Sequence, residues 1–253
     1  MDFDLSRFRL NSPLGKRILA TARGGNYAHP GEEEAIRLTL AGFAGARPAR
    51  WLDAGCGRGG TAEFVRRAGW ADVTAFDIDA VSIDEARRNY PAVDFFACGV
   101  VDAPSTIGEK FDLLYAFNSF YAFPDQPAAL AALRALARDS ARLVIFEYVD
   151  RGGFFSSPFS RRVEAGHWNP VDENRLAAQM AATGWRLAET RRLDAEYDRW
   201  YADLVGRFAS RRAELETIAP AEAIDYAAGV YADLLATIRA GALGGAIFVA
   251  EAV

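Results

Sequence analysis

Cysteine is scarce: Cys56 and Cys98 are the only two in 253 residues. A secreted scaffold held by disulfides carries more, so the sequence points to a reducing, cytoplasmic setting. Histidine is equally scarce. His29 and His167 lie far apart, and no Cys/His cluster has metal-ligand spacing. Lys16 and Lys110 are the only lysines among 29 basic residues, so few are available for a mechanism that needs an amine. No run approaches the ~18 apolar residues that suggest a membrane span. Met1-Asp2-Phe3-Asp4-Leu5 has neither the basic start nor the apolar stretch of a signal peptide. A cationic excess is missing too: 29 basic against 34 acidic residues leave −5, with a pI near 5.2. That balance argues against nucleic acid, whose partners neutralise phosphates. Internal repeats and low-complexity tracts are also absent.

What is there is an ordinary globular composition, 51% hydrophobic and 25% charged, with enough chain to bury a core without a staple. From about residue 50, short β-rich runs alternate with helical stretches, which predicts a parallel α/β sheet. Strands are expected at 51–53, 73–78, 93–98, 113–117 and 143–147, and helices near 60–68, 80–89 and 126–138. Pro170 and Val171, followed by Asp172-Glu173, open a helix to about 182, which precedes a charged strand, Trp185 to Arg192, that suits an edge. Two helices follow, with Tyr197, Tyr201, Leu204, Phe208 and Leu215, then Ile224, Tyr231, Leu234 and Ile238, near helical spacing. Gly244 to Val253 reads as a buried last strand. The chain reads as one domain: an N-terminal cap at 1–45, a core at 48–193, a helical cap insertion at 195–240 and the last strand at 243–253.

The informative stretch is Leu52-Asp53-Ala54-Gly55-Cys56-Gly57-Arg58-Gly59-Gly60. A glycine loop between strand and helix lets backbone approach a ligand and aims free N–H groups at it. Gly55, Gly57 and Gly60 satisfy the dinucleotide fingerprint, with Asp77 at the ribose-binding offset. Gly55, Gly57 and Gly59, headed by Asp53, satisfy a second pattern. An anion at Asp53 would repel a pyrophosphate but suit the ammonium of an amino-acid ligand. With Val73-Thr74-Ala75-Phe76-Asp77-Ile78 and Phe111-Asp112-Leu113-Leu114, this series of motifs resembles the class I S-adenosylmethionine-dependent methyltransferases, small-molecule branch. The resemblance covers residues 48–150 well.

The resemblance implies a Rossmann-like, mostly parallel seven-stranded sheet with an antiparallel last strand and helices on both faces. It implies S-adenosyl-L-methionine as cofactor, with Asp53 near the methionyl ammonium and Gly55, Cys56, Gly57 and Gly59 under the methionine and ribose. Asp77 would accept from both ribose hydroxyls and Ile78 would pack on adenine. Arg23 and Tyr27 are candidates on the carboxylate side, and Asn118 follows the fourth strand. Val100 departs from the pattern, standing where these enzymes commonly place an acid for the adenine amine. Cys56 reads as a small buried residue, not a redox group.

The acceptor should sit past the fourth and fifth strands, near Asn118, Ser119, Tyr121, Glu147 and Tyr148. His167, Tyr121 and Glu147 are the candidate catalytic residues. His29, before Pro30-Gly31-Glu32, reads as part of a helix start, and the tyrosine-rich stripe from Tyr197 to Phe208 as helix core. With no strong base in view, a nitrogen acceptor is slightly favoured over oxygen, since a neutral amine needs none. The expected partner is a small-molecule acceptor, with no nucleic acid and no membrane; oligomeric state is open. An NAD oxidoreductase and a catalytically silent binding module are the alternatives.

Overall fold

A computed structural model of the chain describes residues 3–45, 49–163 and 168–253. Two helices, α1 (Pro13–Arg23) and α2 (Glu32–Leu40), precede the sheet. Ser12 starts α1 by accepting from Gly15 N, and three glutamates occupy the first turn of α2, where the helix dipole favours them. Then come β1 (Arg50–Ala54), α3 (Gly60–Arg67), β2 (Asp72–Asp77), α4 (Ala80–Asn89), β3 (Asp94–Ala97), α5 (Ala103–Ile107) and β4 (Phe111–Phe117). The second half runs α6 (Gln126–Ala135), β5 (Ala137–Asp150), α7 (Glu173–Ala182), β6 (Trp185–Arg192), α8 (Asp194–Ser210), α9 (Arg212–Glu216), α10 (Ala221–Arg239) and β7 (Leu243–Ala252).

The seven strands form one sheet in the order β3-β2-β1-β4-β5-β7-β6. The pairs from β3 across to β5 are parallel, and β7 inserts antiparallel between β5 and β6. The charged strand β6 therefore lies at the edge, where Arg186, Arg191 and Arg192 reach water. Alternation along the central strands fills two cores, because successive side chains face opposite sides. Trp51, Leu113, Tyr115, Phe117, Phe146 and Tyr148 face α1–α3, α8 and α10, while Leu52, Ala54, Leu114, Ala116 and Ile145 face α6 and α7. Asp53 pairs in register with Tyr115 and so shares the first face.

Element boundaries shift in two places. The expected helix to 138 stops at Ala135, because β5 already begins at Ala137 and pairs with Phe111. The polar residues Arg138, Asp139 and Ser140 hide this strand start, and the register slips before Arg142 meets Leu113. The helix expected from Pro170 starts at Glu173, capped by Asp172, because Val171 is bridged to Val149.

Candidate functional site

The strand order reverses between β1 and β4, and a crevice at the carboxyl ends of such strands is where open α/β sheets bind ligands. Gly55, Gly57 and Gly59 all have positive φ, so the loop after β1 is a sequence of left-handed turns open to glycine alone at low cost. The loop is also packed tightly: a Cβ at Gly55 would lie 2.5 Å from Ser119 Cβ, and one at Gly59 2.6 Å from Phe95 Cζ. Ser119 donates to the Ala54 carbonyl at 2.6 Å, tying the ends of β1 and β4 together. A Cβ at Gly60 would run into the Asn26 carbonyl oxygen, so the N-terminal segment lies directly on the start of α3.

Asp77, at the end of β2, holds this loop in shape. Its Oδ2 accepts from Gly57 N at 2.8 Å and its Oδ1 from Asp79 N at 2.9 Å, leaving each oxygen further lone pairs. Next to it, Ile78 is 81% exposed and Val101 61% exposed. Gly99 lies between Ile78 and Asp102, so these residues frame one apolar slot with a carboxylate at its rim. Val100, expected in that slot, is instead buried in the lower core. Its neighbour Val101 is the exposed one of the pair.

Asp53 is buried, and burial holds its carboxyl up to about 8, with the Tyr115 hydroxyl pulling down and Asp77 adding to the rise. Asp53 Oδ2 and the Tyr115 hydroxyl both remain without a completed hydrogen bond. A buried unpartnered carboxylate oxygen is expensive unless a ligand supplies a donor. Cys56 is buried and its thiol is pushed well up by burial and by Asp53 and Asp77, so it stays protonated and inert. Among the described residues, no group of His, Cys, Asp and Glu could hold a metal ion.

On the other side of Asn118 lies a wall of aromatic rings. Asn118 itself has φ 46°, a strained value for a residue other than glycine. Its amide donates to Glu147 Oε1 at 3.1 Å, and its carbonyl accepts from the Tyr197 hydroxyl at 3.3 Å. Glu147 also accepts from the amides of Tyr148 and Tyr121, at 2.8 and 3.0 Å. Burial holds it up to about 8 against the pull of these donors. Three donors thus hold it, which makes it a support that fixes Asn118 and Tyr121. Tyr121 stacks obliquely on Trp168 at 4.4 Å, and Tyr148 meets both rings. The Tyr148 and Tyr201 hydroxyls are hydrogen-bonded to each other.

The remaining expected residues fall as follows. His29 is buried between Phe117 and Phe146, with Nε2 2.9 Å from the Thr61 hydroxyl and Nδ1 3.1 Å from the Pro30 carbonyl. Burial lowers it to about 3, so Nδ1–H donates to Pro30 and Nε2 accepts from Thr61. It is a structural histidine. Tyr27 packs over Gly25 and Gly60, and its hydroxyl donates to Glu33 at 3.3 Å. Arg23, expected on the cofactor side, pairs with Glu32 at 2.7 Å and sits beside Tyr201 and Tyr231. These partners place its guanidinium between α2, α8 and α10. His167 lies outside the described residues.

Sequence reasoning missed Tyr115, Tyr231 and the pair Glu32 and Glu34. Glu34 accepts from Trp200 Nε1 at 3.0 Å and from Arg199, pinning α2 to α8. Tyr231 was visible as a member of an apolar helical face, but spacing says nothing about where a hydroxyl ends. Tyr197, Trp200 and Tyr201 are buried as the helix-core reading expects.

Comparison with known proteins agrees with this geometry. The family described as "Methyltransferase domain" matches residues 27–190. Two curated relatives, from Enterobacter lignolyticus and Pseudescherichia vulneris, are both named malonyl-[acyl-carrier protein] O-methyltransferase. They are 32% identical over 109 residues (41% of this chain) and 32% over 164 residues (63%). The matched regions span 43% and 59% of those proteins, so the chain spans about half the length of the curated relatives it matches. Among solved structures, Haemonchus contortus phosphoethanolamine N-methyltransferase 2 in complex with S-adenosyl-L-methionine superposes with a TM-score of 0.86. The identity is 16%, over 98% of this chain and 59% of that one. That likeness is one of fold.

Proposed function

The chain belongs to the methyltransferase-domain family, and on that premise we propose that it transfers a methyl group from S-adenosylmethionine to a small organic acceptor. The observation that carries the reading is Asp53: a buried carboxyl with an unpartnered oxygen, beside a loop of left-handed glycines that Asp77 holds. The residues fit the cofactor. Asp53 supplies an acceptor for its ammonium, Asp77 for its ribose hydroxyls, and Ile78 with Val101 an apolar slot for its base. When bound, S-adenosylmethionine supplies a methyl group activated by the adjacent sulfonium.

The protein's own part is to orient and to exclude water. The glycine loop and Ser119 fix one wall, while Asn118, held by Glu147 and Tyr197, fixes the end of β4. The aromatic wall from Tyr121 to Tyr201 offers the acceptor a dry surface. None of these groups is poised as a base. Glu147 is held by three donors and His29 is locked in a structural bond. A site with no poised base among its described residues suits a neutral amine, but it suits a carboxylate oxygen equally, because that nucleophile is already an anion. The lean towards nitrogen therefore loses its ground. The curated relatives' names support an oxygen acceptor, and we favour a carboxylate.

Calorimetry with S-adenosylhomocysteine and NAD tests the reading. Binding of the S-adenosyl compound and not of NAD is expected; clear NAD binding alone would overturn it and restore the oxidoreductase alternative.

A further inference from the structure

A cavity of about 410 Å³ lies where α1, the glycine loop and the start of α9 meet. Three arginines from these separate elements line it: Arg17 of α1, Arg58 of the loop and Arg211 between α8 and α9. None of Asp53, Asp77, Ile78 and Val101 borders it, nor do Tyr121 and Tyr148, so it stands apart from the crevice described above. Arg17 is exposed, and its side chain has neither hydrogen bond nor ion pair among the described residues. Arg211 directs Nε to Glu214, at 3.0 Å, and Nη1 to the Thr21 carbonyl, which leaves Nη2 without a protein partner. Arg58 has a side chain 17% exposed. Its Nη2 pairs with Glu85 at 2.9 Å, while Nε and Nη1 are buried and unpartnered. Guanidinium nitrogens withdrawn from water with no acceptor are costly, and a turn of that side chain onto an oxyanion would compensate them. The Tyr90 hydroxyl, also on the wall, accepts from Asn26 Nδ2 at 2.9 Å and keeps its own proton to donate.

Among the described residues Glu214 is the one carboxylate on the wall, and Arg211 neutralises it. Even with Glu85 counted against Arg58, the surplus is cationic, and the donors come from three elements of the fold. A carboxylate presents two oxygens in one plane. A phosphate monoester presents three on a tetrahedron, so guanidiniums can meet it from three sides at once. We propose that this cavity binds the phosphate group of a small phosphorylated ligand, at a site separate from the cofactor crevice. Ala20 and Ile218 give the rest of such a ligand an apolar patch. The simpler reading, a solvated cluster of surface arginines, would leave the Arg58 nitrogens in water; they are instead dry and without an acceptor.

The test titrates the full chain with inorganic phosphate, and separately with malonate, by calorimetry at constant ionic strength, with and without saturating S-adenosylhomocysteine. Saturable phosphate binding in both conditions is expected, tighter than that of malonate. Arg17→Gln removes a side chain that no other described residue holds, so the fold should be untouched. It should raise the phosphate dissociation constant about tenfold, the worth of a hydrogen bond to a charged group. Arg58→Gln should do at least as much, whereas Arg175→Gln, an exposed arginine of α7, should leave it unchanged. Should Arg58→Gln not fold, Arg17→Gln carries the comparison. No saturable phosphate binding would overturn the proposal, as would binding that survives Arg17→Gln. An equal loss in Arg175→Gln would overturn it too, by showing unspecific attraction to net charge. Malonate bound more tightly than phosphate would refute the phosphate assignment. Phosphate bound only when S-adenosylhomocysteine is left out would place it in the cofactor crevice and refute the separate site.

Discussion

Replacing Asp77 by alanine removes two kinds of hydrogen bond at once. In the free protein its carboxylate accepts from Gly57 N and Asp79 N, at 2.8 and 2.9 Å. Hydrogen bonds to a charged group contribute about 1.5–3 kcal/mol each, but both amides here can reach water when the carboxylate goes. The expected loss of stability is therefore only about 1–3 kcal/mol. Two ribose hydroxyls would lose the same acceptor, so cofactor affinity should fall by roughly 2–4 kcal/mol, or about 30- to 1000-fold. Asparagine should be no better than alanine. Its NH2 group must face one of the two amide donors, opposing N–H to N–H. Urea unfolding gives the first quantity and calorimetry with S-adenosylhomocysteine the second. A folded Asp77→Ala protein with unchanged affinity would refute the ribose assignment, and an Asp77→Asn protein equal to wild type would refute the donor argument.

Burial holds Asp53 up to about 8, so the folded, ligand-free chain keeps a proton that the unfolded chain loses near pH 4. That contribution to stability is present below pH 4 and is lost as pH rises to 8. An arriving ammonium favours the ionised form, so binding S-adenosylhomocysteine at pH 7 should release up to about one proton. Calorimetry in buffers of different ionisation enthalpy measures this, and the same release from Asp53→Asn would exclude Asp53 as its source. Gly60→Ala should cost about 1–3 kcal/mol, because its Cβ meets the Asn26 carbonyl. Gly57→Ala, whose Cβ would meet only Ala28 Cβ at 3.8 Å, should cost about 1 kcal/mol through its positive φ; denaturant midpoints in the reverse order would contradict the packing. Residues 10–30 should gain hydrogen-exchange protection when S-adenosylhomocysteine binds, since this segment lies on the glycine loop and is tied to α4 by Lys16 and Asp79. Equal protection with and without ligand would show that it does not close.

The glycine loop and its two acids were legible because their chemistry is local. A left-handed turn needs glycine wherever it occurs, and a strand end followed by such a turn fixes where Asp53 and Asp77 stand. Slot residues were less legible. Val100 and Val101 are adjacent and chemically alike, and only the path of the chain after β3 decides that Val101 reaches solvent. Glu147 was a candidate catalytic residue in the sequence; its role as a support follows from the amides of Tyr121, in the turn after β4, and Tyr148.

The alternation of apolar runs by itself determined the parallel sheet, and the motif order determined the family's cofactor crevice, since both depend on spacing along the chain. The row of tyrosines that ends at Arg23 was decided by tertiary structure alone. Arg23 lies in α1, Glu32 in α2, Tyr148 in β5, Tyr201 in α8 and Tyr231 in α10, so no spacing rule connects them. They meet because the sheet buries β5 at its centre and each cap helix must bury its apolar face there. Where a long side chain's polar tip ends is set by the neighbours that this packing brings.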